Sequence, residues 1–103
     1  MAIPNFGQMR ELYSLQKKAK QMQKELKGLE IEAKNAAETV GVIVSGEMQV
    51  VEIEIAPSLL NEESRARLES EIKETVNQAL TRARSESASR MQPLLKDLNL
   101  PGL

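Results

Sequence analysis

The sequence predicts an α+β fold: a helix, a three-stranded antiparallel meander and a long C-terminal helix. Three observations carry it. Between Thr39 and Leu60 the β-branched residues alternate, Val40, Val42 and Val44 in one run and Val51, Ile53 and Ile55 in the next. Period-2 alternation marks a half-buried strand, and branched side chains suit a pleated surface. Before this hairpin, Leu12, Leu15, Ala19, Met22, Leu26 and Leu29 recur at helical spacing; after it, Leu68, Ile72, Val76, Ala79, Leu80 and Ala83 do the same. A two-stranded hairpin is marginal alone, so the flanking helices must cover it.

The first helix is expected from Gln8, with Met1–Gly7 loose around Pro4 and Gly7. Its apolar positions follow the alternating three-and-four spacing of a heptad seam, and Gln, Lys, Glu and Met fill the gaps as good helix formers. Arg10, Lys17, Lys20, Lys24 and Lys27 also recur at helical spacing. At about 100° per residue their mean direction lies roughly 160° from the seam. One reading is a solvated face. A merely solvated helix more often mixes Glu with Lys, because i,i+4 pairs of opposite sign support it. An unmixed stripe gives up that support and points to an anionic partner.

From Gly28 to Glu38 the pattern serves two elements. Leu29, Ile31 and Ala33 alternate with Glu30, Glu32 and Lys34 as in a strand, while Leu29, Ala33 and Ala36 continue the heptad. Gly28 weakens a continuous helix, which favours a strand at Leu29–Lys34 and a turn at Asn35–Glu38. Next comes the hairpin, with Ser45-Gly46-Glu47 as its link and a glycine able to take positive φ. Glu52 and Glu54 point away from the branched residues of their strand. Ala56-Pro57-Ser58 ends that strand, since proline cannot donate to a ladder. Asn61 suits an N-cap, and Glu62 and Glu63 suit the positive end of a helix dipole. The second helix loses its apolar stripe after Ala83, so its distal part is expected to stand clear of the core until Pro93 ends it near Met91. Arg82, Arg84, Arg90 and Lys96 make this end basic, either to complement the helix C-terminus or to make contacts.

Composition narrows the function classes. The chain has 103 residues, one Phe, one Tyr, and neither Trp, Cys nor His. That is enough for one domain, 1–103, with residues 1–8 and 93–103 as loose tails. An aliphatic core of this size is thin, and oligomerisation is a common remedy. Without His the commonest general base and metal ligand are missing; without Cys there is no thiol chemistry. There is no phosphate loop, no GxGxxG and no cluster at metal-ligand spacing. Glu52 and Glu54 share a strand face, but nothing marks a pocket around them. The expectation is a protein that is no enzyme and holds no cofactor, metal or small-molecule substrate. No apolar run reaches the ~18 residues of a membrane span, and no signal-peptide core precedes the first helix, so a cytoplasmic protein is expected. The net charge of −1 is unevenly spread: residues 1–28 carry six basic and two acidic side chains, residues 29–60 one and six, and residues 61–103 seven of each.

Val44-Ser45-Gly46, Val51-Glu52-Ile53 and Pro57-Ser58-Leu59-Leu60 together resemble the YbaB/EbfC family of bacterial nucleoid-associated proteins. In that family a valine-rich strand ends in Asn-Gly, followed by Val-Glu-Ile-Asp-Pro-Ser-Leu-Leu. The Gln/Met/Lys-rich opening (Gln16, Lys17, Lys18, Ala19, Gln21, Met22, Gln23) and the Leu-Pro-Gly ending are similar too, so the likeness covers nearly the whole chain. Two departures stand out: Lys34-Asn35-Ala36-Ala37-Glu38 replaces a Gly-rich turn, and Ala56 replaces Asp before Pro57. The resemblance implies an α-β-β-β-α subunit, a tweezer-like homodimer with helical arms, nucleoid association, and duplex-DNA binding with little sequence preference. The DNA contacts it implies are Arg10, Lys17, Lys20, Lys24 and Lys27 on the first helix and Arg82, Arg84 and Arg90 on the distal last helix. An organelle of bacterial descent is a second possible location.

Two other readings compete. The Leu12–Leu29 seam could pack a partner helix, making the chain a protein-interaction module whose lysines only confer solubility. A basic amphipathic helix could also lie on an anionic membrane, but this apolar face lacks Trp and Phe and its leucines are needed for packing. The scarcity of aromatics argues against single-strand binding by base stacking and for duplex DNA.

Overall fold

The computed structural model describes residues 6–98. Helix α1 (Phe6–Gly28) leads into strands β1 (Glu30–Lys34), β2 (Val40–Ser45) and β3 (Val50–Ile55); two short 3-10 turns, Pro57–Leu59 and Glu62–Ser64, then lead to helix α2 (Arg65–Leu98). The strands form an antiparallel sheet in the order β1-β2-β3. The α+β meander expected from the alternating residues is present, and a strand rather than more helix follows Gly28.

Helix α2 crosses one face of the sheet over β1 and β2. Thr75, Ala79, Ala83 and Ser87, each four residues on from the last, are buried along its contact line. Opposite them Ala33, Val40, Val42 and Val44 are at most 1% exposed. The two alanines bring the helix backbone close to the valines, and Leu68, Ile72, Val76 and Leu80 pack around the core they make. The buried Thr75 hydroxyl is satisfied within the helix, donating to the Glu71 carbonyl at 2.6 Å. A hydroxyl donating to the carbonyl four residues back is the usual way a Thr sits inside a helix.

The β1–β2 turn is built by one side chain. Asn35 Oδ1 accepts from the Thr39 and Val40 amides at 2.8 and 2.9 Å. Its Nδ2 donates to Thr39 Oγ1 and, across to α2, to Glu71 Oε2 at 2.6 and 2.9 Å. All four hydrogen-bonding capacities of the amide are thus used, and Glu38 takes the positive φ of 55° that a glycine would otherwise supply. Asn61 caps as expected, its Oδ1 accepting from the Ser64 amide at 2.8 Å.

Four features differ from the sequence expectations. The link between β2 and β3 takes its positive φ at Met48 (66°), not at Gly46. Gly46 is needed for closeness: its amide donates to the carbonyls of Leu26 at 2.9 Å and Leu29 at 3.1 Å. A Cβ there would stand 2.6 Å from the Leu26 oxygen. Second, α1 begins at Phe6 rather than Gln8, and α2 continues through Pro93 to Leu98 instead of ending near Met91. The carbonyl that loses its donor to Pro93 belongs to Ser89, an exposed residue, where water can replace the missing bond. Third, the distal part of α2 is still anchored at Ser87, which is 6% exposed and donates to the Gly46 carbonyl at 3.2 Å. Fourth, β3 does not bury a face as β2 does. Its register slips by one residue at Val51, and Val50, Val51 and Ile53 are 46%, 54% and 43% exposed. The reason is the path of α2, which covers β1 and β2 and leaves β3 largely open up to Ile55.

Candidate nucleic-acid interface

Because α1 is one uninterrupted helix, its periodicity sets where every side chain points. Leu15, Lys18, Met22 and Leu26 are half-buried and Leu29 is buried, on the side toward α2 and the hairpin. The seam is thereby occupied within the chain over its C-terminal part, while Leu12 remains 62% exposed. The outward side carries Arg10, Lys17, Lys20, Lys24 and Lys27, all exposed. At 100° per residue these five fall within an arc of about 100°. Both glutamates of the helix, Glu11 and Glu25, lie outside that arc.

The α2 arginines are arranged differently. Arg82 and Arg84 stand two positions apart, so they point about 160° away from each other around the helix. Arg82 reaches back to the sheet, its Nη1 donating to the Glu32 carbonyl at 3.1 Å. Arg90 is paired with Glu86 at 3.3 Å one turn earlier. All three are exposed; Arg82 and Arg90 leave the helix about 80° apart, and Arg84 points away from both. The structure thus gathers the α1 residues into one surface and sets Arg84 apart from the other two on α2. Tyr13, to which the sequence reading assigned no role, is 68% exposed and lies inside the α1 arc. The spacing that selects the lysines selects it as well.

The other end of the molecule has the opposite sign. Register pairs Glu32 with Ile43 and Ile43 with Glu52, and Gly41 with Glu54. Glu32, Glu52 and Glu54 therefore share the sheet face turned away from α2. Lys34 joins them, bonded to Glu32 at 3.3 Å. That hydrogen bond, with the charges of Glu32, Glu38 and Glu54, raises the ammonium above its usual pKa. Among the described residues no group of three or more carboxylates is placed to hold a metal ion. No described helix is long and apolar enough to cross a membrane.

The chain is similar to known proteins along nearly its whole length. The family model described as the YbaB/EbfC DNA-binding family matches residues 3–98. A nucleoid-associated protein of Clostridium kluyveri is 36% identical over 108 residues, covering 98% of this chain and 95% of that one. One from Prochlorococcus marinus (strain MIT 9211) is 36% identical over 107 residues, covering 98% and 92%. The fold is similar to that of an uncharacterized Helicobacter pylori protein in a crystal structure, with a TM-score of 0.62, 19% identity, and coverage of 76% of this chain and 90% of that one.

Proposed function

The chain belongs to the YbaB/EbfC DNA-binding family, and from that membership we propose that it is a non-enzymatic, nucleoid-associated protein of the cytoplasm. It binds duplex DNA as a homodimer with little sequence preference. The observation that carries the reading is the single-signed arc of Arg10, Lys17, Lys20, Lys24 and Lys27, exposed along α1 with the apolar seam turned inward. Such a surface contacts phosphates, and phosphate contacts position a protein on DNA without reading bases. Their binding energy comes largely from released counterions, so affinity falls steeply with salt. Arg82, Arg84 and Arg90 contribute less, because two of the three already have partners and no single duplex face meets them all. The homodimer reading draws support from the exposed apolar residues Val50, Val51 and Ile53 of β3, an edge that α2 of the same chain covers little.

The test is duplex-DNA binding by fluorescence anisotropy across a salt series, for the wild type and for a Lys17→Glu/Lys20→Glu/Lys24→Glu variant of unchanged fold and oligomeric state. The wild type is expected to bind with a steep negative slope of log affinity on log salt, about 0.9 per phosphate neutralised. The variant is expected not to bind. Equal binding by both would make the stripe a solvated face and return attention to a protein partner for the α1 seam.

A further inference from the structure

We propose that Tyr13 is a phosphate contact, a neutral member of the basic surface on α1. This rests on the duplex-DNA reading above and adds a residue that charge patterning does not find. Tyr13 follows Arg10 by three positions and precedes Lys17 and Lys20 by four and seven, the spacing of one continuous helix ridge. Its direction lies about 10° from the mean of the five basic residues. It is 68% exposed, and its hydroxyl has no hydrogen-bond partner among the described residues.

A purely solvated role accounts poorly for this placement. Among the described side chains on the outward side of α1, Met9 at 57% exposed is the other large apolar one, and Gln, Ser, Lys and Arg fill the rest at little cost in water. A tyrosine ring there leaves apolar area in water, and in a chain with one tyrosine the residue is not used where the core could bury it. A tyrosine hydroxyl stands about as far from its Cα as a lysine ammonium, so it reaches the same surface the lysines reach. Tyrosine hydroxyls are regular donors to DNA phosphates. The ring beneath the hydroxyl covers the sugar edge, a contact that no lysine offers. Because the phenol is neutral it releases no counterion, so its contribution persists at salt concentrations that weaken the lysines.

The experiment compares the wild type, Tyr13→Phe and the triple charge-reversal variant for duplex binding across the salt series, with oligomeric state measured by light scattering. Tyr13→Phe removes one oxygen from an exposed position. It is expected to weaken binding roughly tenfold, the loss of one hydrogen bond to a charged group, with the salt slope unchanged. Tyr13 is also the chain's one tyrosine, and there is no tryptophan, so intrinsic emission reports this site alone; duplex is expected to quench it in the wild type. If the wild type binds, the charge-reversal variant does not, and Tyr13→Phe binds like wild type, the Tyr13 contact is overturned while the DNA reading stands. If the wild type fails to bind at low salt, both fall. A change of oligomeric state in Tyr13→Phe would place the residue at an interface between copies and overturn the contact.

Discussion

At the scale of single residues, Gly46 joins both helices to the hairpin. Its amide holds the end of α1, its carbonyl accepts from Ser87 of α2, and it sits in the turn between β2 and β3. Gly46→Ala forces a methyl group to within 2.6 Å of the Leu26 carbonyl oxygen. The obstacle is backbone, so either the turn or α1 must move. We expect a loss of about 3 kcal/mol, the upper range for overpacking, read as a lowered urea midpoint at unchanged m-value. A sequence reading finds the glycine but misplaces its reason. Turn chemistry is local and suggests positive φ, whereas the need for a hydrogen side chain comes from Leu26, twenty positions earlier. Asn61 shows the converse: its capping bond closes within four residues, and the sequence suffices to find it.

At the scale of elements, the helices and strands were legible because each repeats its own period, but their ends and coverings were not. Nothing local says that α2 lies over β1 and β2 and largely spares β3; that depends on the crossing of a helix over a sheet. The basic arc of α1 was readable because one straight helix converts spacing directly into direction. The directions of the α2 arginines were not readable in the same way, since basic composition near a helix end says nothing of which way each side chain leaves it. Pro93 is an element-scale matter as well. It lies inside α2, where proline costs about 3 kcal/mol relative to alanine, yet the helix continues to Leu98. Pro93→Ala is expected to slow amide exchange around residues 90–96 and to deepen the 222 nm circular dichroism, with little effect on exchange in β2. An unchanged exchange pattern would mean that the proline costs this helix nothing.

At the scale of the whole molecule, the chain is a rod of 76 × 19 × 18 Å, basic along α1 and acidic on the outer face of the sheet. The largely open strand β3 bears on the assembly of two such rods. Ile53 pairs with Val42 and shares the α2 side of the sheet, while Glu52 faces the other way. If a second copy covers the apolar side, Ile53→Lys gives monomers by light scattering and Glu52→Lys leaves the dimer intact. The reverse result would put the interface on the acidic face. The Gly46 junction has a further consequence when α1 is regarded as a lever. From Leu26 to Gly7 the helix extends about 29 Å at 1.5 Å per residue. A tilt of about 5° at its root therefore displaces its tip by ~2.5 Å, nearly half a helical pitch. If two copies pair as proposed, the gap between their α1 tips is set by how Gly46 and the half-buried residues from Leu15 to Leu26 seat each helix.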